Sequence, residues 1–346
     1  MSLCRHPTPF EGAYVATAIP LLICDDSSMA RKQLMRSLPA NWPFRVSQAD
    51  NGLDGLDAIR AGRGEIVLLD LTMPRLDGFG VLTRMREEGL QADVIVVSGD
   101  IQQEAIRRAL ALGARSFIRK PADPADLEAA LLALGRPLPT DAAALLRSDM
   151  SLPAVGFRDA FREVANIAMG RAAELLARVL GVFIRLPVPN VNILEVGELH
   201  MALLDAQGSQ QVSAICQGYI GSGIAGEALL IFHDSEIDDV ARLLNHQASS
   251  SPLELQLDLA AIVIGACLNG LSEQLGMQLS SGHPLVLGQH CTIGELIRLN
   301  RGRWKRTLAV EISYSLEDHD IKFDLMLLFT EDSVPVLQKK IDFLIN

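Results

Sequence analysis

Five polar side chains stand where short apolar runs end. Asp25 and Asp26 follow PLLIC, Asp70 follows EIVLL, Ser98 closes DVIVVS, and Lys120 closes ARSFIRK. Three carboxylates brought to one edge repel each other unless a cation sits among them. An all-oxygen set of this kind suits Mg²⁺, which keeps several waters and also takes phosphate oxygens. A hydroxyl and an ammonium alongside can hold the oxygens of a phosphoryl group. The chemistry this suggests is an aspartate that accepts phosphate, with metal and lysine neutralising the charge. A second group is Asp159, Glu163 and Asn166. On a helix these spacings put the three side chains within about 60° of one another. Phe157, Phe161, Val164, Ile167 and Ala168 supply apolar surface on the same segment. Taken alone, such a triple also fits a solvated polar stripe on an amphipathic helix.

The elements that must position these residues follow from the hydrophobic pattern. PLLICDD, FRVSQAD, EIVLLD, DVIVVS and ARSFIRK read as five strands, and the first, third and fourth are near-continuous apolar runs, as in strands buried on both faces. Helical patterns lie between them near 28–38, 52–62, 78–88, 102–112 and 123–134. Five such β-α units predict an α/β doubly wound five-stranded parallel sheet, whose chemistry sits at the carboxyl ends of the strands. A lone Asp-Asp is often a helix cap and a lone Lys-Pro often a turn. Caps and turns do not explain five such residues at successive strand ends.

Composition narrows the function classes. The 346 residues allow two domains, and the formal net charge of −11 is unevenly placed: −2 over residues 1–135 and −9 over the rest. That balance disfavours a phosphate backbone as partner, so no nucleic acid is expected. Arg298, Arg301, Arg303, Lys305 and Arg306 form one local exception and read as a solvated turn between strands, with a partner-binding patch as the lesser alternative. The five cysteines are scattered, with no C-x-x-C pair, which suits a reducing cytoplasm and indicates neither a disulfide framework nor zinc. His233, His283 and His290 read as isolated histidines, not ligands. No apolar run reads as a membrane span, so no membrane insertion is expected.

Residues 1–18 read as an N-terminal arm, 19–135 as the first domain, and 136–152, with its prolines and polar islands, as a linker. Residues 153–346 contain an internal repeat, 153–250 and 251–346. FREVANIAMGRAAELLARVLG opens the first copy and LDLAAIVIGACLNGLSEQLG the second, each ending in Leu-Gly, with Gly181 and Gly276 as C-caps. Matched positions are 95 apart: Asp159 and Glu254, Glu163 and Asp258, Asn166 and Ala261, Pro189 and Pro284. Strand-like runs follow each helix: VNILEV, HMALLDA, QVSAICQGYI and GIAGEALLIF, then PLVLGQHC, TLAVEISYSL and IKFDLMLLFT. Each copy closes with a helix, near 235–245 and 332–343. The expectation is one α+β domain with pseudo-twofold symmetry.

Residues 20–134 resemble a CheY-like receiver domain of two-component signalling, through CDD, LLDLTMPRLDGFG, VVSGD and IRKP in order. The resemblance implies that Asp70 is the phosphoacceptor. It also implies that Asp25, Asp26, Asp70 and the Thr72 carbonyl serve Mg²⁺, with Asp25 acting through water. Ser98 and Lys120 would contact the phosphoryl group, and Phe117 takes the switch-aromatic position. Residues 153–346 resemble the CheC/CheX family of chemotaxis phosphatases. That family's signature is Asp or Ser, Glu four on, Asn three further, and Pro after 22 intervening residues, which Asp159, Glu163, Asn166 and Pro189 satisfy. Glu254, Asp258, Ala261 and Pro284 satisfy it only in part, so the second site reads as degenerate.

The resemblance implies a cytoplasmic phosphatase of aspartyl phosphate on a receiver, either its own or a separate CheY-like protein's. Asn166 would position water, Glu163 would pair with the receiver lysine, and Asp159 would support docking. The implied partners are a sensor histidine kinase and a phosphorylated CheY-like receiver; homodimerisation is left open. The alternative is a non-catalytic response regulator whose second domain is a protein-interaction module.

Overall fold

The computed structural model describes residues 18–40, 42–135, 152–194, 211–243, 251–292, 295 and 307–345. The N-terminal arm, nearly all of the linker, the HMALLDA run and the arginine-rich stretch near 298–306 lie outside the described residues.

The first unit is a five-stranded parallel sheet in the order β2-β1-β3-β4-β5. Its strands are β1 (Ile19–Cys24), β2 (Phe44–Ala49), β3 (Ile66–Leu69), β4 (Asp93–Ser98) and β5 (Ser116–Arg119). Helices α1 (Ser28–Ser37), α2 (Gly52–Arg60), α3 (Gly78–Glu88), α4 (Gln103–Ala111) and α5 (Pro124–Ala133) alternate with them. The apolar runs of β1, β3 and β4 are the central strands, buried between an α1/α5 layer and an α2–α4 layer. Side chains set the helix starts. Ser27 Oγ accepts from Ala30 N, Asn51 accepts from Leu53 N and Asp54 N, and Asp123 accepts from Ala125 N ahead of Pro124. Ser27, not Asp26, therefore caps α1, and Asp26 remains available at the strand end.

The second unit is an eight-stranded sheet, antiparallel throughout its pairings, with the path β10-β8-β9-β13-β12-β6; β11 pairs with β8 and β7 with β12. Its strands are β6 (Ile184–Arg185), β7 (Asn190–Leu194), β8 (Val212–Gly221), β9 (Ile224–His233), β10 (Ser280–Ser281), β11 (Leu285–Cys291), β12 (Thr307–Leu316) and β13 (Lys322–Phe329). Helices α6 (Phe157–Leu180) and α8 (Pro252–Leu275) lie together on one face. Helices α7 (Ile237–Leu243) and α9 (Val334–Ile345) each follow a 3₁₀ turn. Shifted by 95 residues, the bounds of α6 coincide with those of α8 and the bounds of β8 with those of β12. Both long helices end at a left-handed glycine, Gly181 (φ 71°) and Gly276 (φ 57°). The two-residue strands β6 and β10 are additions to the expected pattern.

Helix α8 corrects one expectation. Leu253–Leu275 is long and apolar enough to cross a membrane by length and composition, because few charges interrupt it. Here it is a core helix. Leu259, Val263, Ile264, Cys267 and Leu271 are buried in the cluster shared with α6 and the sheet. The carbon skeletons touch at Gly270, where a Cβ would lie 2.8 Å from Ala168 Cα.

The two units are packed together. Met29 of α1 is buried in the second unit's core, and Phe183 packs against the first unit's α2–α4 layer.

Candidate phosphoryl site beneath helix α6

Four of the five strands deliver polar residues to the same edge. Asp25 and Asp26 leave β1, Asp70 leaves β3, Ser98 ends β4, and Lys120 leaves β5 through a cis bond to Pro121. Asp25, Asp70, Ser98 and Lys120 are all buried. Lys120 Nζ is 2.7 Å from Asp25 Oδ2 and 3.1 Å from Asp70 Oδ2. Backbone amides hold the other oxygens: Leu71 N donates to Asp70 Oδ1 at 2.7 Å, and Ser27 N donates to Asp25 Oδ1 at 2.9 Å. Ser98 Oγ accepts from Asp100 N. Phe117 is half-buried against the α2–α4 layer.

Helix α6 closes this edge, so that the sequence's two polar constellations meet. Glu163 Oε1 is 3.0 Å from Lys120 Nζ, and Glu163 is 2% exposed. Asp159 Oδ2 accepts from Ser28 Oγ and, at 3.2 Å, from Met29 N at the start of α1. Arg162 bridges the units, 3.1 Å from Asp159 Oδ1 and 3.3 Å from Asp26 Oδ2. Asn166 is 6% exposed, and its amide has no hydrogen-bond partner among the described residues. One turn on, the backbones touch: a Cβ on Gly170 would lie 1.9 Å from the Gly99 carbonyl oxygen. Pro189 is buried directly before β7.

Burial shapes the electrostatics. It raises the Asp25 carboxyl against the pull of Lys120, with the Asp70 charge adding to the rise. Asp26 is pushed up to about 7 by burial, then by the charges of Asp25 and Asp70, with Arg162 opposing. Burial likewise raises Glu163, opposed by Lys120. For Lys120, burial works against the ammonium, yet Asp25, Asp70 and Glu163 outweigh it and hold the group well above its ordinary range.

The donor set fits a divalent cation. One oxygen each from Asp25, Asp26 and Asp70 lies within 4.8 Å of the others. Five carboxylates here, counting Glu163 and Asp159, face two cationic side chains, Lys120 and Arg162, so acidic groups outnumber basic ones. Asp25 Oδ2 is buried, 2.7 Å from Lys120 Nζ. Hard oxygen donors with unspent negative charge suit Mg²⁺.

The second copy of the motif is built differently. Glu254, Asp258 and Ala261 are all exposed. Glu254 is occupied locally: its carboxylate accepts from Ser251 N at 2.9 Å while Ser251 Oγ caps α8, a capping box. Among the histidines, His290 Nδ1 lies 2.8 Å from the Asp234 carboxylate, so it is paired and not isolated. Asp25, Asp26 and Asp70 are the only candidate metal cluster among the described residues.

Three contributors escaped the sequence reading. Arg162 stands on the same helix face as Asp159, three residues on, and reads as a solvated charge. Gly170 is a glycine inside a helix one turn past Asn166, and that was the available signal of a close approach. Gln102 is 1% exposed, and its side-chain amide pairs with both backbone groups of Ile184. No local pattern marks it.

Comparison with known proteins places the first unit. Residues 21–132 match the model of the response regulator receiver domain. The chain is 32% identical to the chemotaxis protein CheY of Treponema pallidum over 105 residues, 30% of this chain and 73% of that protein. It is also 32% identical to the response regulator MprA of Mycobacterium tuberculosis over 167 residues, 47% of this chain and 72% of that one. Among solved structures, the receiver domain of NarL from M. tuberculosis covers 34% of this chain at 28% identity and a TM-score of 0.32. Thermotoga maritima FliY covers 56% of it at 18% identity and a TM-score of 0.40. With the strand-end aspartates, serine and lysine assembled on a five-stranded parallel sheet, and with a CheY matched over most of its length, the chain belongs to the response regulator family.

Proposed function

We propose that this response regulator hydrolyses its own aspartyl phosphate: α6 docks on the receiver and acts on phosphorylated Asp70 in cis. The observation that carries the reading is the 3.0 Å contact of Glu163 with Lys120, beside Asp70 in the same chain. The resemblance of the Asp159, Glu163, Asn166 and Pro189 spacing to the CheC/CheX phosphatases supports it.

A receiver takes its phosphoryl group from a phosphodonor, here a sensor histidine kinase, onto an Asp70 oxygen. Mg²⁺ held by Asp25, Asp26, Asp70 and the Thr72 carbonyl would neutralise phosphoryl charge. Lys120 and Ser98 hold phosphoryl oxygens. Glu163 fixes the register of α6 through Lys120, and Asp159 with Arg162 fixes its first turn against α1 and Asp26. Asn166 is the water-positioning residue: its amide oxygen accepts from water while its NH₂ can donate to a phosphoryl oxygen. The water oxygen bonds to phosphorus as the bond from phosphorus to the Asp70 carboxylate breaks. Asp70 leaves as a carboxylate, and the water's protons leave with inorganic phosphate or to solvent. An acyl phosphate is already labile, so placement of the water supplies most of the acceleration. The cytoplasm is the compartment in which such a kinase and receiver would meet.

The test uses the full chain phosphorylated with acetyl phosphate and Mg²⁺, then freed of donor. Phosphate release should be first order, independent of protein concentration, and slowed at least about tenfold by Asn166→Ala, the loss of one well-placed group. An unchanged rate in Asn166→Ala favours the second domain as a non-catalytic interaction module.

A further inference from the structure

We infer that the loop after β4 and helix α4 form a latch that commits the α6 face to this chain's own receiver, with Gln102 as its positioning residue. The inference rests on the cis reading above and adds what selects the receiver.

The latch lies outside the phosphoryl site and has three parts. At Gly99 the receiver backbone meets α6 with no room for a side chain on Gly170 and a tight fit for one on Gly99. A Cβ on Gly170 would lie 1.9 Å from the Gly99 carbonyl oxygen, and one on Gly99 would lie 3.3 Å from Ile167 Cα. At Gln102 the side-chain amide completes β6: Nε2 donates to Ile184 O at 2.8 Å, and Ile184 N donates to Oε1 at 2.9 Å. Gln102 and Ile184 are buried, so without this amide two backbone groups lose their partner. At Arg108 the guanidinium bonds both carboxylate oxygens of Glu317 and lies 4.5 Å over the Phe183 ring.

The latch is wired to the chemistry. Gln102 Nε2 also donates to Asp100 Oδ1, which accepts from Gln102 N, while Asp100 N donates to Ser98 Oγ. Ser98, the hydroxyl at the phosphoryl site, is thus joined through two residues to the second domain. A receiver with a side chain at the Gly99 position, or without an amide at the Gln102 position, could still present its aspartates and lysine. It would not seat on α6 at this depth. Foreign receivers are therefore excluded twice, by misfit and by the resident receiver's occupancy.

The experiment measures two rates. The first is phosphate release from the chain's own Asp70. The second is release from a separately added, pre-phosphorylated CheY-type receiver, measured with an Asp70→Asn background that silences the resident site. Gln102→Ala should slow the first about tenfold and speed the second by a similar factor, the size expected for losing one buried bonding pair. A variant that merely damages the fold would lower both. If Gln102→Ala lowers both, Arg108→Ala, at the half-exposed outer end, decides: opposed changes support the latch, and unchanged rates overturn it. Unchanged rates in Gln102→Ala, with Asn166→Ala still slow, overturn the latch while leaving the hydrolytic reading intact. An Asn166→Ala chain as fast as wild type removes the hydrolytic reading, and the latch with it.

Discussion

Helices α6 and α8 are the same helix written twice, 24 residues each and 95 apart, both ending in Leu-Gly. One is covered by a receiver and the other is not. Under the receiver, Glu163 meets a lysine and Asn166 is buried; on α8, Asp258 and Ala261 stand exposed. The contrast is sharpest at the paired glycines. A Cβ on Gly170 would strike the Gly99 carbonyl, whereas one on Gly265 would meet nothing within 4 Å. A shared pattern therefore does not make a shared site. What separates the two faces is a partner surface, together with the three side-chain changes that remove the amide, shorten the acid and turn the remaining carboxylate to capping.

The comparison can be broken at matched positions. Reversing charge at Glu163→Lys puts a second ammonium against buried Lys120 and should destabilise the docked state by about 3–5 kcal/mol, as for other broken buried pairs. Asp258→Lys should leave stability unchanged; denaturant melts of the two full-length variants check both. At the glycines, Gly170→Ala overpacks the contact with Gly99 and should cost about 1–3 kcal/mol. Gly265→Ala should instead stabilise by about 0.5–1 kcal/mol, since a mid-helix alanine replaces a glycine in open space. Opposite shifts in thermal midpoint are the expected result. At the first turn, Glu254→Ala removes half a capping box and should cost up to about 1 kcal/mol without affecting phosphate release. Asp159→Ala should slow release modestly, because it frees the start of α1 from α6. Smallest of all, Ala261→Asn should leave the release rate unchanged, since the amide would stand where no receiver docks.

The receiver's strands and its five strand-end residues were legible because their chemistry leaves little choice of residue type and the parallel sheet fixes where they stand. Helix-face spacing grouped Glu163 with Asn166, and the family resemblance paired Glu163 with a receiver lysine; that the lysine is Lys120 of the same chain is seen only in the fold. Other features depend on tertiary neighbours that a local pattern does not name. Arg162 looks like any solvated arginine until Asp26 is placed beside it. Gln102 looks like an ordinary helix start until Ile184 arrives from 82 residues away. The apolar length of Leu253–Leu275 reflects burial between a helix and a sheet, a demand that resembles a bilayer's in composition. Glu254 offered a readable signal that the repeat obscured: Ser251 and Glu254 have capping-box spacing.

The central claim is that the α6 face acts on the receiver of its own chain. Its most direct test mixes two full-length proteins. One carries Asn166→Ala and is phosphorylated on Asp70; the other carries Asp70→Asn and keeps Glu163 and Asn166. Phosphate release from the first should be slow and should stay slow at any excess of the second. Restoration of the wild-type rate by the second protein would contradict action in cis.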